Sequence, residues 1–228
     1  MNDRLRENLE SVQSAIADAA RRSGRPANAV RLLAVTKRRS LDHIRSLHEL
    51  GVRDFGENYP QELWEKAAAL PELAWHLIGH LQGKKVARTL PLVRMIHGVD
   101  SLKLLKALDA IAATLPNPPE VLLQINVSGE ESKYGWSIDG LFADLPAIRE
   151  CRSIPIVGLM TMAPFGTDAA SARPTFVLLR ETANRFAERA DLFLPHLSMG
   201  MSNDFVTAIE EGATIVRVGS ALFEGVDP

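Results

Sequence analysis

The sequence predicts an α/β protein, a closed (β/α)8 barrel with an extra helix at its amino terminus. Three observations carry that expectation. From residue 31 onward, short apolar and β-branched runs alternate with helical stretches, eight times over. The runs are near-continuously apolar, as in parallel strands covered on both faces. The connections between them are short, and 228 residues suit one such domain, spanning 1–228. An open doubly wound sheet has the same alternation and is the competing arrangement, because strand count does not prove closure.

The elements follow in order. Residues 3–22 form an amphipathic helix, with Leu5, Leu9, Val12, Ile16 and Ala19 recurring at three- and four-residue steps. Asn2 or Asp3 caps it, and Ser23-Gly24-Arg25-Pro26 stops it. Strand one is 32–36, followed by a helix over 41–50 that Gly51 ends. Strand two is 53–56, and Pro60 suits the first turn of the helix over 60–70. Strand three is 74–78, followed by a short basic helix through Lys84, Lys85 and Arg88. Strand four is 95–99, and Ser101 caps a helix that stops before Pro116. Strand five is 121–127; its loop holds Gly129 to Lys133, and the next helix starts at Ser137 or Asp139. Strand six is 154–160, then the loop Met162-Ala163-Pro164-Phe165-Gly166 and a long helix over 171–190. Strand seven is 196–199, with Ser202 or Asn203 capping a helix over 205–211. Strand eight is 214–218, and Ser220 begins a final helical turn.

Composition narrows the function. Twenty-six Lys and Arg stand against 28 Asp and Glu, so no basic field draws nucleic acid or an anionic membrane. The polar start Met1-Asn2-Asp3-Arg4 resembles no signal peptide, and no apolar run is long enough to span a bilayer. One cysteine, Cys151, permits no internal disulfide and reads as a half-buried structural thiol. The expected compartment is the cytoplasm. Metal binding is not expected, because His76 and His80 flank a strand end and a glycine turn, with no zinc-type ligand spacing.

A barrel places its chemistry at the carboxyl ends of its strands. Lys37 stands there after strand one. It is either part of a solvent-facing basic turn with Arg38 and Arg39, or an amine kept neutral by apolar walls and ready to attack an aldehyde. Gly200-Met201-Ser202-Asn203 and Gly219-Ser220 follow strands seven and eight, where barrels commonly hold phosphate on backbone amides. Ser202 and Ser220 also read as plain helix caps. Arg217 interrupts an apolar strand and needs a partner or a ligand: Glu57, Asp204 or a ring nitrogen.

These residues stand within islands that resemble one family. The islands are Leu33-Ala34-Val35-Thr36-Lys37, Phe55-Gly56-Glu57-Asn58-Tyr59 and Trp75-His76-Leu77-Ile78-Gly79-His80-Leu81-Gln82. They continue with Asn126-Val127-Ser128, Ser132-Lys133-Tyr134-Gly135 and Gly158-Leu159-Met160. They close with Ser198-Met199-Gly200-Met201-Ser202-Asn203-Asp204 and Val216-Arg217-Val218-Gly219-Ser220. In this order along nearly the whole chain they resemble the pyridoxal-phosphate homeostasis proteins, whose barrel is similar to the amino-terminal barrel of alanine racemase. The resemblance departs at Lys84, where the family usually has asparagine, and at Glu224, which separates Phe223 from Gly225.

The resemblance implies a cofactor and its ligands. Pyridoxal 5'-phosphate (PLP) is carried as a reversible Schiff base on Lys37, with Arg217 near the ring nitrogen. Ser202, Gly219 and Ser220 match the phosphate-binding region, and Asn58 and Met160 lie near the cofactor. It implies a non-catalytic protein of vitamin B6 homeostasis, a monomer rather than a dimer, in transient contact with PLP-requiring apo-enzymes. A small amino-acid racemase and an unrelated phosphate-binding barrel enzyme are the alternatives. Racemisation needs an acid/base on each face of a planar intermediate. Racemases supply the second as a tyrosine from a further domain; this chain stops after strand eight, and neither Tyr59 nor Tyr134 matches that base.

Overall fold

The computed structural model describes residues 2–130, 134–164 and 168–226. Glu131, Ser132 and Lys133 of the loop after strand five, and Phe165 and Gly166 of the loop after strand six, lie outside the described residues. The strands are β1 (Arg31–Val35), β2 (Asp54–Glu57), β3 (Ala74–Leu77), β4 (Met95–Val99), β5 (Glu120–Gln124), β6 (Ile156–Met160), β7 (His196–Ser198) and β8 (Ile215–Val218). All pair in parallel and in sequence order, and β8 returns to β1. Leu33 stands opposite Asp54 of β2 on one side and Arg217 of β8 on the other. Closure removes the open sheet as an alternative.

The helices are α1 (Asn2–Arg22), α2 (Leu41–Glu49), α3 (Pro60–Ala69), α4 (Val86–Thr89), α5 (Leu102–Ala112), α6 (Ile138–Ala143), α7 (Leu145–Ile148), α8 (Ala169–Ala190) and α9 (Phe205–Glu210). Ser40, Ser101, Ser137 and Asp168 cap α2, α5, α6 and α8, each accepting a hydrogen bond from an amide three residues on. The extra helix α1 buries its predicted apolar face against the barrel and packs along α9. Asn8 Nδ2 ties it to the carbonyls of Leu222 at 3.0 Å and Glu224 at 2.9 Å. No helix among the described residues is long and apolar enough to cross a membrane.

Several boundaries differ from expectation, each for a local reason. Asn2 and Asp3 lie inside the first turn of α1 rather than capping it. β5 ends at Gln124: Ile125 N still donates to Met160 O of β6, but Asn126 N turns away from the barrel to Trp136 O. β6 starts at Ile156, since Pro155 has no N–H to give a ladder. The α9 cap position belongs to Asp204, not to Ser202 or Asn203. Ser220 opens a hydrogen-bonded turn and not a helix.

Two apolar cores result. The larger lies between the strands and the helices. The smaller gathers Leu33, Met95, Leu122, Met160 and Ile215 from five strands and contains no helix residue, which places it inside the barrel. The interior is also polar: His76, His97, Ser198 and Arg217 are buried.

Candidate functional site

The strand ends bring two groups of residues to the barrel mouth. On the β1 side, Lys37 sits in a tight turn that closes with Arg39 N donating to Thr36 O at 3.0 Å. Arg38 within it takes a positive φ of 59°, a conformation that costs a non-glycine residue free energy. Its amide donates to Glu62 Oε2 at 2.9 Å, which holds the turn. Just below, Lys66 Nζ donates to Glu57 Oε1 and to the Thr36 carbonyl, both at 2.8 Å, and Thr36 Oγ1 donates to Glu57 Oε1 at 2.6 Å. The residue preceding Lys37 is therefore pinned through side chain and backbone.

Glu57 is fully buried, and its Oε2 has no hydrogen-bond partner among the described residues. Burial pushes its carboxyl above the usual carboxylate range, against the bonds from Lys66 and Thr36. The expected Glu57–Arg217 pair does not form; Lys66 takes that place. The desolvated Lys37 does not form either. Its residue is exposed, because the turn carries it past the apolar strand end into the mouth.

On β8, the strand beside β1, stands Arg217. It is buried, with Nη1 donating to Ser198 Oγ at 2.8 Å and Nη2 to the Thr161 carbonyl at 2.9 Å. Asp204, its other expected partner, makes no hydrogen bond to it among the described residues but favours its charge from a distance. Burial lowers the guanidinium to about 10, so it stays protonated at neutral pH. Met160 is fully buried one residue before Thr161 and in register with Ser198.

The loops after β7 and β8 meet beside Arg217. Gly200, at a φ of +92°, turns the chain, and Met201 N donates to Asp204 Oδ1 at 2.5 Å. Ser202 Oγ then faces the other loop, accepting from Gly219 N at 3.3 Å and Ala221 N at 3.2 Å. Its hydroxyl thus marks where an acceptor oxygen meets two adjacent amides, a role its reading as a helix cap did not include. Gly219 lies close to β1: an added Cβ would stand 3.3 Å from the Val35 carbonyl oxygen. Ser220 is exposed and Asn58, after β2, is half-buried. Lys37 and Asn58 make no hydrogen bond to Met160, Ser202, Arg217, Gly219 or Ser220 among the described residues.

Farther round the rim, His80 Nδ1 lies 2.5 Å from Asp100 Oδ2, and its ring stacks on exposed Tyr134 at 4.2 Å between centroids. Two cavities of about 310 and about 410 Å³ open at the other end of the barrel, against Arg31, Asp54, His196 and Thr214. We place the site at the mouth, where hydroxyls, amides and a guanidinium converge. Among the described residues, no three His, Cys, Asp or Glu side chains are grouped to hold a metal.

Lys66, Glu62 and His97 were not among the expected site residues. Lys66 had a signal: it shares the face of α3 that buries Leu63, Ala67 and Leu70, where a lysine needs a partner.

Comparison with known proteins adds the following. The family model for the alanine racemase N-terminal domain matches residues 3–227. The pyridoxal phosphate homeostasis protein of Aquifex aeolicus is 38% identical over 219 residues, covering 95% of this chain and 96% of that protein. The human protein of the same name is 39% identical over 233 residues, covering 96% of this chain and 84% of its own length. The solved structure of PipY from Synechococcus elongatus with PLP bound superposes with a TM-score of 0.83 at 38% identity, covering 96% of this chain and 99% of that one. Alanine racemase of Clostridium difficile shares the fold, with a TM-score of 0.77 at 14% identity, and the match covers 97% of this chain and 56% of the racemase.

Proposed function

The chain belongs to the pyridoxal phosphate homeostasis proteins, on an alanine racemase N-terminal fold, and from that premise we propose that it binds PLP and serves its homeostasis without catalysing turnover. The observation that carries this is the end-to-end likeness to a homologue solved with PLP bound.

The donor set of the mouth fits that group. A guanidinium has five N–H donors, and two of those of Arg217 have acceptors, which leaves others for a ligand. Two backbone amides and two hydroxyls stand together at Gly219, Ala221, Ser202 and Ser220, suited to a phosphate. The exposed Lys37 supplies a primary amine after the neighbouring strand β1.

When bound, PLP supplies an aldehyde that condenses reversibly with an amine. The Lys37 amine would be the attacking group, and the turn held by Glu62 and the Glu57–Lys66 pair presents it. Gly219, Ser220 and Ser202 would hold the phosphate. Arg217 would face the ring nitrogen and, staying protonated, would disfavour a proton there. Asn58 and Met160 would flank the ring. Such an arrangement suits reversible storage and release rather than carbanion chemistry. In this role the chain acts as a cytoplasmic monomer with one binding unit, meets PLP-requiring apo-enzymes transiently, and engages neither nucleic acid nor membrane.

The test is borohydride reduction after mixing with PLP, with the adduct located by peptide mass mapping. Wild type is expected to carry it on Lys37, and Lys37→Ala to lose both the adduct and the visible absorbance band. Equal labelling of the variant, or labelling at another lysine, overturns the assignment.

A further inference from the structure

Behind Arg217 an unbroken line of polar contacts crosses the barrel interior. Arg217 Nη1 lies 2.8 Å from Ser198 Oγ, which lies 2.8 Å from His97 Nδ1. His97 Nε2 lies 3.0 Å from His76 Nδ1, and His76 Nε2 lies 3.0 Å from Asp54 Oδ1. The five residues come from β8, β7, β4, β3 and β2. Asp54 is the first residue of β2, so the line runs from the mouth toward the strand starts. All but Asp54 are buried.

Donor and acceptor counting fixes the direction of every proton. A guanidinium only donates, so Ser198 Oγ accepts from Arg217. Suppose His97 Nδ1–H also donated to Ser198. His97 Nε2 would then be an acceptor and His76 Nδ1–H its donor. A neutral His76 would turn a bare Nε2 toward the Asp54 carboxylate, two acceptors 3.0 Å apart. The reverse order has no such clash. Ser198 O–H donates to His97 Nδ1, His97 Nε2–H to His76 Nδ1, and His76 Nε2–H to Asp54. Burial supports neutral rings at both positions, and Asp54 is held below the usual carboxylate range by His76, Arg31 and Arg94 despite its own burial.

We propose that Ser198 and His97 are positioning residues for Arg217, the first links of a one-way donor chain from the guanidinium to Asp54 in which both imidazoles are Nε2–H tautomers. This rests on Arg217 being the group that faces the PLP ring. A buried guanidinium with no carboxylate in contact is otherwise poorly compensated. The aligned dipoles carry the influence of the Asp54 charge across the core. They also commit the Ser198 proton to His97, so that its oxygen is turned to Nη1 and the guanidinium plane is set before any ligand arrives.

Two measurements test this. The first uses the protein without PLP: two-bond ¹H–¹⁵N NMR of the imidazoles near neutral pH. Both His76 and His97 are expected as neutral Nε2–H rings; an Nδ1–H ring or an imidazolium at either position overturns the proposal. The second titrates PLP into folded His97→Leu, His97→Asn and Ser198→Ala and follows the bound absorbance. His97→Leu and Ser198→Ala are expected to bind about tenfold more weakly with a displaced visible band, the scale of one charge-assisted hydrogen bond. His97→Asn, which keeps an acceptor near Ser198, restores the wild-type band. Wild-type affinity and band in all three overturn the proposal. If wild type itself takes up no PLP, the cofactor assignment falls, and the tautomers still decide whether the chain exists.

Discussion

Acidification is expected to cost this fold stability through its buried histidines, and His97 is where the effect is isolated. Burial holds His97 well below the ordinary imidazole value, and the nearby His76 and Arg217 push in the same direction. In the unfolded chain it titrates near 6.5. Between those two values the unfolded chain binds more protons than the folded one. The contribution is therefore fully present above the unfolded value and is lost as pH falls through it toward the folded value. A histidine that stays neutral in the fold loses about 1.2 kcal/mol of stability between about pH 7 and about pH 5.5. His76 and His196 act in the same sense, both lowered chiefly by burial. Glu57 and Asp204 act in the opposite sense, because burial raises them and the fold then takes up their protons more readily. The total slope mixes these terms, so the assay is a difference. Urea unfolding of wild type and of His97→Leu is followed in steps from about pH 7 to about pH 5.5. The stability gap between them is expected to shrink by about 1.2 kcal/mol as pH falls. A gap that stays constant refutes a His97 that is neutral in the fold.

Two further substitutions bear on the mouth. Lys66→Met leaves Glu57 buried without its cation and the Thr36 carbonyl with only the Arg39 amide as donor; a loss of about 3–5 kcal/mol is expected in urea unfolding, part of it recovered by adding Glu57→Gln. Gly200→Ala puts a Cβ 2.6 Å from that of Ala208 at a φ of +92°, and is expected to destabilise by about 2 kcal/mol or more, read as a lower Tm.

The barrel was legible because its signals are local. An apolar run such as Val121-Leu122-Leu123 needs cover on both faces wherever it stands, and Ser101 or Ser137 caps whatever helix follows it. Boundaries slipped where a distant partner decided them, as when Trp136 drew the Asn126 amide away from the barrel. Lys37, Ser202, Gly219 and Arg217 were legible as strand-end residues, but their surroundings were not. The exposure of Lys37 depends on a backbone turn at Arg38 that no residue type announces, since an arginine seldom takes a positive φ. Nothing in the spacing of His76 and His97 joins them to each other or to Ser198, because the contacts that do so span 21 and 101 residues of chain.

Those long-range contacts also explain why the mouth is built differently at the ends of β1 and β8. Under Lys37 lies a compact pair, Glu57 with Lys66, that brings one charge of each sign and so leaves little field of its own. Behind Arg217 lies a neutral chain whose carboxylate is remote, so the guanidinium keeps its charge near the mouth. Replacing Ser198 by an aspartate would pair Arg217 directly and cancel that charge. With serine there, the nearest acidic group, Asp204, is occupied by Met201 N and acts only at a distance. The mouth therefore combines a guanidinium in its floor with an amine at its rim, and on the function proposed above both would favour a phosphate between the β7 and β8 loops. Binding at such a site is expected to weaken with salt and with loss of Arg217, whereas a pocket relying on the apolar floor of Leu33, Met95 and Met160 would not respond to ionic strength in that way.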